Sequence, residues 1–151
     1  MTVENALTRF SNRVQDYIRY RPGYPQAVID CLRDEFGLHS QQVVADIGSG
    51  TGISAGLLLD NGHRVIAVEP NADMRAAAES QYGSNGFFQS VAAPAEATTL
   101  PDASVDWIVA AQAFHWFDVE KCRVEFRRIL KRGGFVALLW NDRRNDTPFL
   151  E

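Results

Sequence analysis

Cysteine is scarce in this chain, long apolar runs are missing, and basic residues do not outnumber acidic ones. Only two cysteines occur in 151 residues. Cys31 and Cys122 lie far apart, each in an apolar stripe at helical spacing. A disulfide framework is thereby excluded, and two buried free thiols in a reducing compartment are expected. No stretch reaches the ~20 apolar residues of a membrane span, and the amino terminus has no basic-then-apolar signal, so no membrane partner and a cytoplasmic location are expected. With 15 Lys and Arg against 19 Asp and Glu, the net charge is −4, which argues against a nucleic-acid partner held by phosphate neutralisation. The sequence offers no Ser/His/Asp or Cys/His constellation and no His/Cys/Asp cluster at metal-ligand spacing. No metal is expected. Repeats and low-complexity tracts are also missing.

The apolar residues that are present, 46% of the chain, suffice for one domain with a core. Leu7, Phe10, Val14, Tyr17 and Ile18 share one face of a helix that must stop near Arg21-Pro22-Gly23. Tyr24-Pro25 opens a second helix whose buried face is Val28, Ile29, Leu32 and Phe36, with Gly37 as terminator. Five apolar runs read as strands, namely Val43 to Ile47, Arg64 to Val68, Phe87 to Val91, Val105 to Ala110 and Phe135 to Trp140. Helices fall between them, from Ile53 to Asp60, from Ala72 to Gln81, and from an Asp118 cap through Val119, Cys122, Phe126, Ile129 and Leu130. Lys131-Arg132 suit the negative end of that last helix, and Gly133-Gly134 turn the chain into the fifth strand. Strand and helix alternate, which predicts an α/β fold, an open parallel sheet with helices on both faces.

The most telling stretch is Asp46-Ile47-Gly48-Ser49-Gly50-Thr51-Gly52, an acid and three alternating glycines at the end of the first strand. A ligand lying against bare backbone needs such glycines, and a side chain at any of them is expected to fill the ligand's space. Ser49 and Thr51 add hydroxyls without bulk. A dinucleotide fingerprint requires a third small residue where Ile53 stands. Asp46 would also repel a pyrophosphate, whereas it complements a cation at the loop entrance. Glu69 ends the second strand, beside the loop in a doubly wound sheet, where a carboxylate accepts from ribose hydroxyls.

These motifs resemble those of the class I S-adenosylmethionine-dependent methyltransferases. With Tyr20-Arg21-Pro22-Gly23-Tyr24-Pro25 and Gln112-Ala113-Phe114-His115-Trp116-Phe117, the chain resembles the branch related to trans-aconitate methyltransferase. The resemblance implies a Rossmann-like doubly wound sheet, S-adenosylmethionine as cofactor with S-adenosylhomocysteine as product, and a small-molecule acceptor. It assigns the cofactor to Tyr20 and Arg21, to Asp46, Gly48, Ser49, Gly50, Thr51 and Gly52, and to Glu69 with Pro70. Pro70-Asn71 reads otherwise as a helix start. The adenine falls to Ala95 and Glu96, because the slot that is often Asp in the family is Pro94 here. Gln112 and Trp116 stand where the reactive end of the methyl donor lies. Trp116 either faces the sulfonium by cation–π attraction or packs the following helix. His115 either takes a proton from an acceptor hydroxyl, orients substrate, or satisfies a backbone group. An already ionised carboxylate acceptor needs no base.

In that family the sheet continues for two more strands beside the fifth. Here Thr147-Pro148 opens a helix that three residues cannot complete, so the carboxyl-terminal strands are expected to be missing. One domain over 1–151 is expected, with covering helices over 1–37 and the Rossmann-like core over 41–141. The activity expected is methyl transfer to a small molecule. The alternatives are an NAD(P)-binding oxidoreductase and a non-catalytic S-adenosylmethionine-binding fragment. The acceptor and the oligomeric state cannot be read from the residues present.

Overall fold

The five apolar runs form one sheet in the computed structural model, which describes residues 23–142. The helix expected over Leu7 to Ile18, the pair Tyr20 and Arg21, and Thr147-Pro148 lie outside the described residues. In chain order the elements are α1 (Gln26–Phe36), β1 (Val43–Ile47), α2 (Ile53–Asp60), β2 (Arg64–Val68), α3 (Ala72–Tyr82), β3 (Phe88–Val91), β4 (Val105–Ala111), a single 3-10 turn (Phe114–Trp116), α4 (Val119–Ile129) and β5 (Leu130–Leu139). The strands are ordered β3-β2-β1-β4-β5 and every pair is parallel. Strand order reverses between β1 and β4, so their carboxyl ends splay the following loops apart and open a crevice. Asp46 sits at that point, in register with Ala67 on one side and Val109 on the other.

Both faces of the sheet are covered, which is why β1 and β4 read as continuous apolar runs rather than alternating ones. Ile29 and Leu32 of α1 and Ala55 and Leu58 of α2 bury Val44, Val65, Trp107 and Val109 on one face. Cys122, Phe126 and Ile129 of α4 bury Ala45, Ile47 and Ile108 on the other. Each Val, Leu, Ile or Phe side chain among them contributes about 1.5–3 kcal/mol on full burial. The Trp107 indole donates to Gln42 Oε1 at 3.0 Å, so the largest buried ring leaves no unmet donor.

Three helix ends follow their sequence signals. Gly37 closes α1 at φ +78, its N–H donating to the Arg33 carbonyl and that of Leu38 to the Leu32 carbonyl. The Asn71 and Asp118 side chains accept from Met74 N and Lys121 N and so cap α3 and α4.

Several expectations need correction. Cys31 is exposed, since on a helix it points about 200° away from Ile29. Phe36 is exposed too, at the last position of α1, where it meets Phe135 edge-on at 6.1 Å between ring centres. Val119 lies at the open first turn of α4 and is exposed. Phe87 precedes β3 and is likewise exposed. The helix α4 ends at Ile129, so its last-turn cations are Arg127 and Arg128 rather than Lys131-Arg132. The fifth strand begins at Leu130, opposite Val105, and pairing resumes at Phe135 opposite Trp107 after a bulge. The bulge needs both glycines. Gly133 has φ +81, and a Cβ on Gly134 would stand 2.8 Å from the Asp106 carbonyl oxygen. Beyond β5 no further strand is present among the described residues, and Val136, Leu138 and Trp140 are exposed. No helix among the described residues is long and apolar enough to cross a membrane.

Candidate functional site

The chain leaves β1 and doubles back over the end of β2. Gly48 N and Ser49 N both donate to the Val68 carbonyl, at 2.8 and 3.2 Å, and Gly52 N donates to Ser49 O at 3.0 Å. To close so tightly, Gly48, Gly50 and Gly52 take φ values of 69, 57 and 94. That left-handed region costs an L side chain roughly 1–2 kcal/mol. The loop is therefore a backbone surface fixed at the crevice of the sheet.

The space above two of these glycines is not the ligand's, contrary to expectation. A Cβ at Gly48 would lie 2.8 Å from Ala113 Cβ and 3.0 Å from Phe117 Cζ. At Gly52 it would meet the Tyr82 ring at 2.9 Å and Ala78 Cβ at 3.2 Å. Tyr82 also covers Gly56, with its hydroxyl within contact of where a Cβ would stand. The glycines thus let the segment after β4 and the end of α3 close onto the loop. Gly48→Ala is expected to destabilise the fold by about 2–4 kcal/mol through backbone strain plus overpacking. Urea denaturation of the variant measures this, and an unchanged midpoint would refute it.

Asp46 lies wholly beneath the loop, with no exposed surface. Its Oδ2 accepts from Ser54 Oγ at 2.7 Å, while Oδ1 has no hydrogen-bond partner among the described residues. Burial pushes its pKa up to about 7, against the Ser54 hydroxyl and the Ala55 N–H, and the neighbouring Glu69 charge adds to the rise. Glu69 is also buried. Its Oε1 accepts from Gly50 N at 2.9 Å and its Oε2 from Asn71 N at 2.8 Å. Burial raises its pKa; those two N–H bonds and Arg75 oppose the rise. From α3, Arg75 Nη1 donates to the Glu69 carbonyl at 2.9 Å and to that of Pro70 at 3.4 Å, clamping the segment.

The loop hydroxyls are both nearly enclosed, Ser49 at 8% and Thr51 at 6% exposure, and Ser49 Oγ has no hydrogen-bond partner among the described residues. Ala95 is buried in the core beneath α4. Glu96 is half-buried, and its Oε1 accepts from Asp118 N at 2.9 Å. Gln112 leaves β4 at φ 56, with its N–H donating to Leu139 O at 2.8 Å. That left-handed conformation is uncommon outside glycine and turns the chain sharply into the 3-10 turn. His115 and Trp116 are exposed on that turn, their ring centres 5.0 Å apart. Cys122 is no nucleophile, because burial pushes its thiol up to about 12. Among the described residues no group of three or more His, Cys, Asp or Glu side chains is placed to hold a metal.

Ser54, Arg75 and Tyr82 escape sequence reasoning as site residues. Ser54 carries the only faint signal, one helical position past Ile53. A groove of about 640 Å3 opens outside α2 along Thr51, Ile53, Leu57 and Tyr82, but neither Glu69 nor Glu96 lines it. Asp46 and Glu69 are buried at the carboxyl ends of β1 and β2 instead.

Comparison with known proteins fits this geometry. The family described as methyltransferase domain matches residues 45–138. A methyltransferase-like protein of Schizosaccharomyces pombe, itself uncharacterized, is 32% identical over 146 residues, 96% of this chain and 56% of its own length. A solved structure from Anaeromyxobacter dehalogenans, described as a type II methyltransferase, is 33% identical with a TM-score of 0.72, covering 85% of this chain and 52% of that one. Phosphoethanolamine N-methyltransferase 2 of Haemonchus contortus, solved with S-adenosyl-L-methionine, shares the fold at a TM-score of 0.78 and 20% identity. That match covers 91% of this chain and 35% of that one. The chain spans about half the length of the curated relatives it matches.

Proposed function

Because the chain belongs to the methyltransferase-domain family, we propose that it is an S-adenosylmethionine-dependent methyltransferase acting on a small-molecule acceptor. One observation carries the reading. A fully buried carboxylate with an unpartnered oxygen, Asp46, lies under a glycine loop that a second buried carboxylate, Glu69, holds by the Gly50 N–H. Two buried acids and the unpartnered Ser49 hydroxyl suit a ligand bearing a cation and a diol, and they repel a pyrophosphate. That fits S-adenosylmethionine and speaks against the nicotinamide-dependent alternative.

Within this reading Asp46 would offer negative charge to the amino-acid portion, and the loop backbone at Ser49, Gly50 and Thr51 would form its floor, with Gly48 and Gly52 letting Ala113, Phe117 and Tyr82 close behind it. Glu69, with Pro70 at its side, accepts from the ribose hydroxyls. The Ala95 backbone and the Glu96 carboxylate would take the adenine. Gln112 and Trp116 border the reactive end, where an indole face favours a positive charge. Tyr20 and Arg21, outside the described residues, are assigned to the cofactor by the family resemblance alone, Arg21 for its carboxylate. When bound, S-adenosylmethionine supplies a methyl group on an already activated sulfonium. The residues of the chain then have to align the acceptor and exclude water, which accounts for the lack of any nucleophile–base pair. His115 takes the proton of a hydroxyl acceptor, and a carboxylate acceptor dispenses with it.

The test is transfer of labelled methyl groups from S-adenosylmethionine to pools of small acids, amines and alcohols, with DNA, RNA and protein alongside. Label in a small molecule is the expected result. Label confined to a macromolecule would overturn the acceptor class. Cofactor binding with no transfer to any pool would favour a non-catalytic S-adenosylmethionine-binding chain.

A further inference from the structure

The segment from Ala92 to Ser104, which carries Ala95 and Glu96, forms no helix or strand. Its end is fastened to α4 by Ala103 N and Ser104 N, which donate to the Arg128 and Ile129 carbonyls at 2.8 Å, and side chains add three further attachments. Glu125, only 8% exposed, accepts from Thr98 N at 2.6 Å and from Thr98 Oγ1 at 2.7 Å, both through Oε2. Arg128 donates to both Glu125 oxygens at 2.7 and 3.0 Å and reaches Asp102 Oδ1 at 2.6 Å. At the start of α4, Asp118 N donates to Glu96 itself.

The Arg128 bonds, joined by those from Thr98, hold the Glu125 carboxyl down at about 2, so it is charged at any working pH. Charge-assisted bonds of this length fix position more tightly than neutral ones. Thr98 is fully buried and Thr99 follows it at φ 66, so the chain has little freedom on either side of the grip. Glu96 stands two residues before Thr98. A shift at Thr98 passes straight into it.

We propose that Glu125 is a positioning residue for adenine recognition: by gripping Thr98 it sets where the Glu96 carboxylate and the Ala95 backbone meet the ring. This rests on the reading of the site as one for S-adenosylmethionine. The chemistry predicts a selectivity. Adenine carries an amino donor that a carboxylate accepts, whereas hypoxanthine carries a carbonyl oxygen there, which the carboxylate repels.

Calorimetry with S-adenosylhomocysteine and its hypoxanthine analogue reads this without turnover. The wild-type chain is expected to prefer adenine by at least about tenfold, and E125Q to reduce that preference to below about threefold. In E125Q an amide N–H can be turned against the Thr98 N–H, and the grip weakens. E96Q should lose the preference as well, while V124T, at an exposed position of the same helix, should keep it. Should E125Q not fold, E125D keeps the charge, shortens the reach and reads the same ratio. Two affinities that fall together with an unchanged ratio would overturn the proposal and leave Glu125 a purely structural residue. Equal binding of both ligands by the wild type would overturn it too. Binding of neither would instead refute the cofactor reading itself.

Discussion

Glu69→Gln is expected to weaken S-adenosylmethionine binding by about 100-fold, equivalent to about 3 kcal/mol. Two effects add. On the proposed reading the ribose hydroxyls lose a charged acceptor, and a hydrogen bond to a charged group contributes about 1.5–3 kcal/mol. The amide also places an NH2 where a carboxylate oxygen now accepts from Gly50 N or Asn71 N, so one buried donor loses its partner. That second effect loosens the loop before any ligand arrives, at a cost of about 1–3 kcal/mol in stability. Calorimetry measures the first effect and urea denaturation the second. Binding within threefold of wild type would remove Glu69 from the cofactor site.

Asp46→Asn should move stability and binding in opposite directions. The folded-state pKa of Asp46 is about 7 against an ordinary 3.8. A carboxyl raised in this way favours the folded chain fully below its unfolded pKa, and the benefit is lost as pH rises from about 3.8 through about 7. Above that, the ligand-free chain carries a buried charge at a cost on the order of 4 kcal/mol at most. Asparagine preserves the shape and can still accept from Ser54 Oγ while carrying no charge. The ligand-free variant should therefore be more stable than wild type at pH 8 and no more stable at pH 4. Its affinity for S-adenosylmethionine should nonetheless fall about 10- to 100-fold, because the cationic ligand loses its counter-charge. Denaturation at the two pH values and calorimetry at pH 8 check both halves. A variant less stable than wild type at pH 8 would show that the carboxylate supports the fold in its charged state.

These two acids were legible because each stands at the end of a strand, where chain order alone locates it. The strands were legible for a related reason, since burial on both faces makes them unbroken apolar runs. The start of β5 was not, because Gly133 and Gly134 read as a turn while the structure uses them to pass a bulge beside Asp106. Spacing also cannot say which way an absent Cβ would point. The glycine loop therefore read as bare space for a ligand, when Ala113, Phe117 and Tyr82 close on Gly48 and Gly52. Glu96 stood out as the acid for adenine, but the hydrogen bond that its Oε1 accepts from Asp118 N, 22 residues on, had no signal in the sequence. Glu125 gave no signal at all, because its partner Thr98 is 27 residues away and belongs to no periodic element.

The loop, the two buried acids and the family agree on one ligand. Calorimetric titration of the 151-residue chain with S-adenosylmethionine, S-adenosylhomocysteine and NADH separates the possibilities. One-to-one binding of the first two and none of NADH is the expected result. Binding of NADH, or of none of the three, would mean that Asp46 and Glu69 were not built around an adenosine-linked cation.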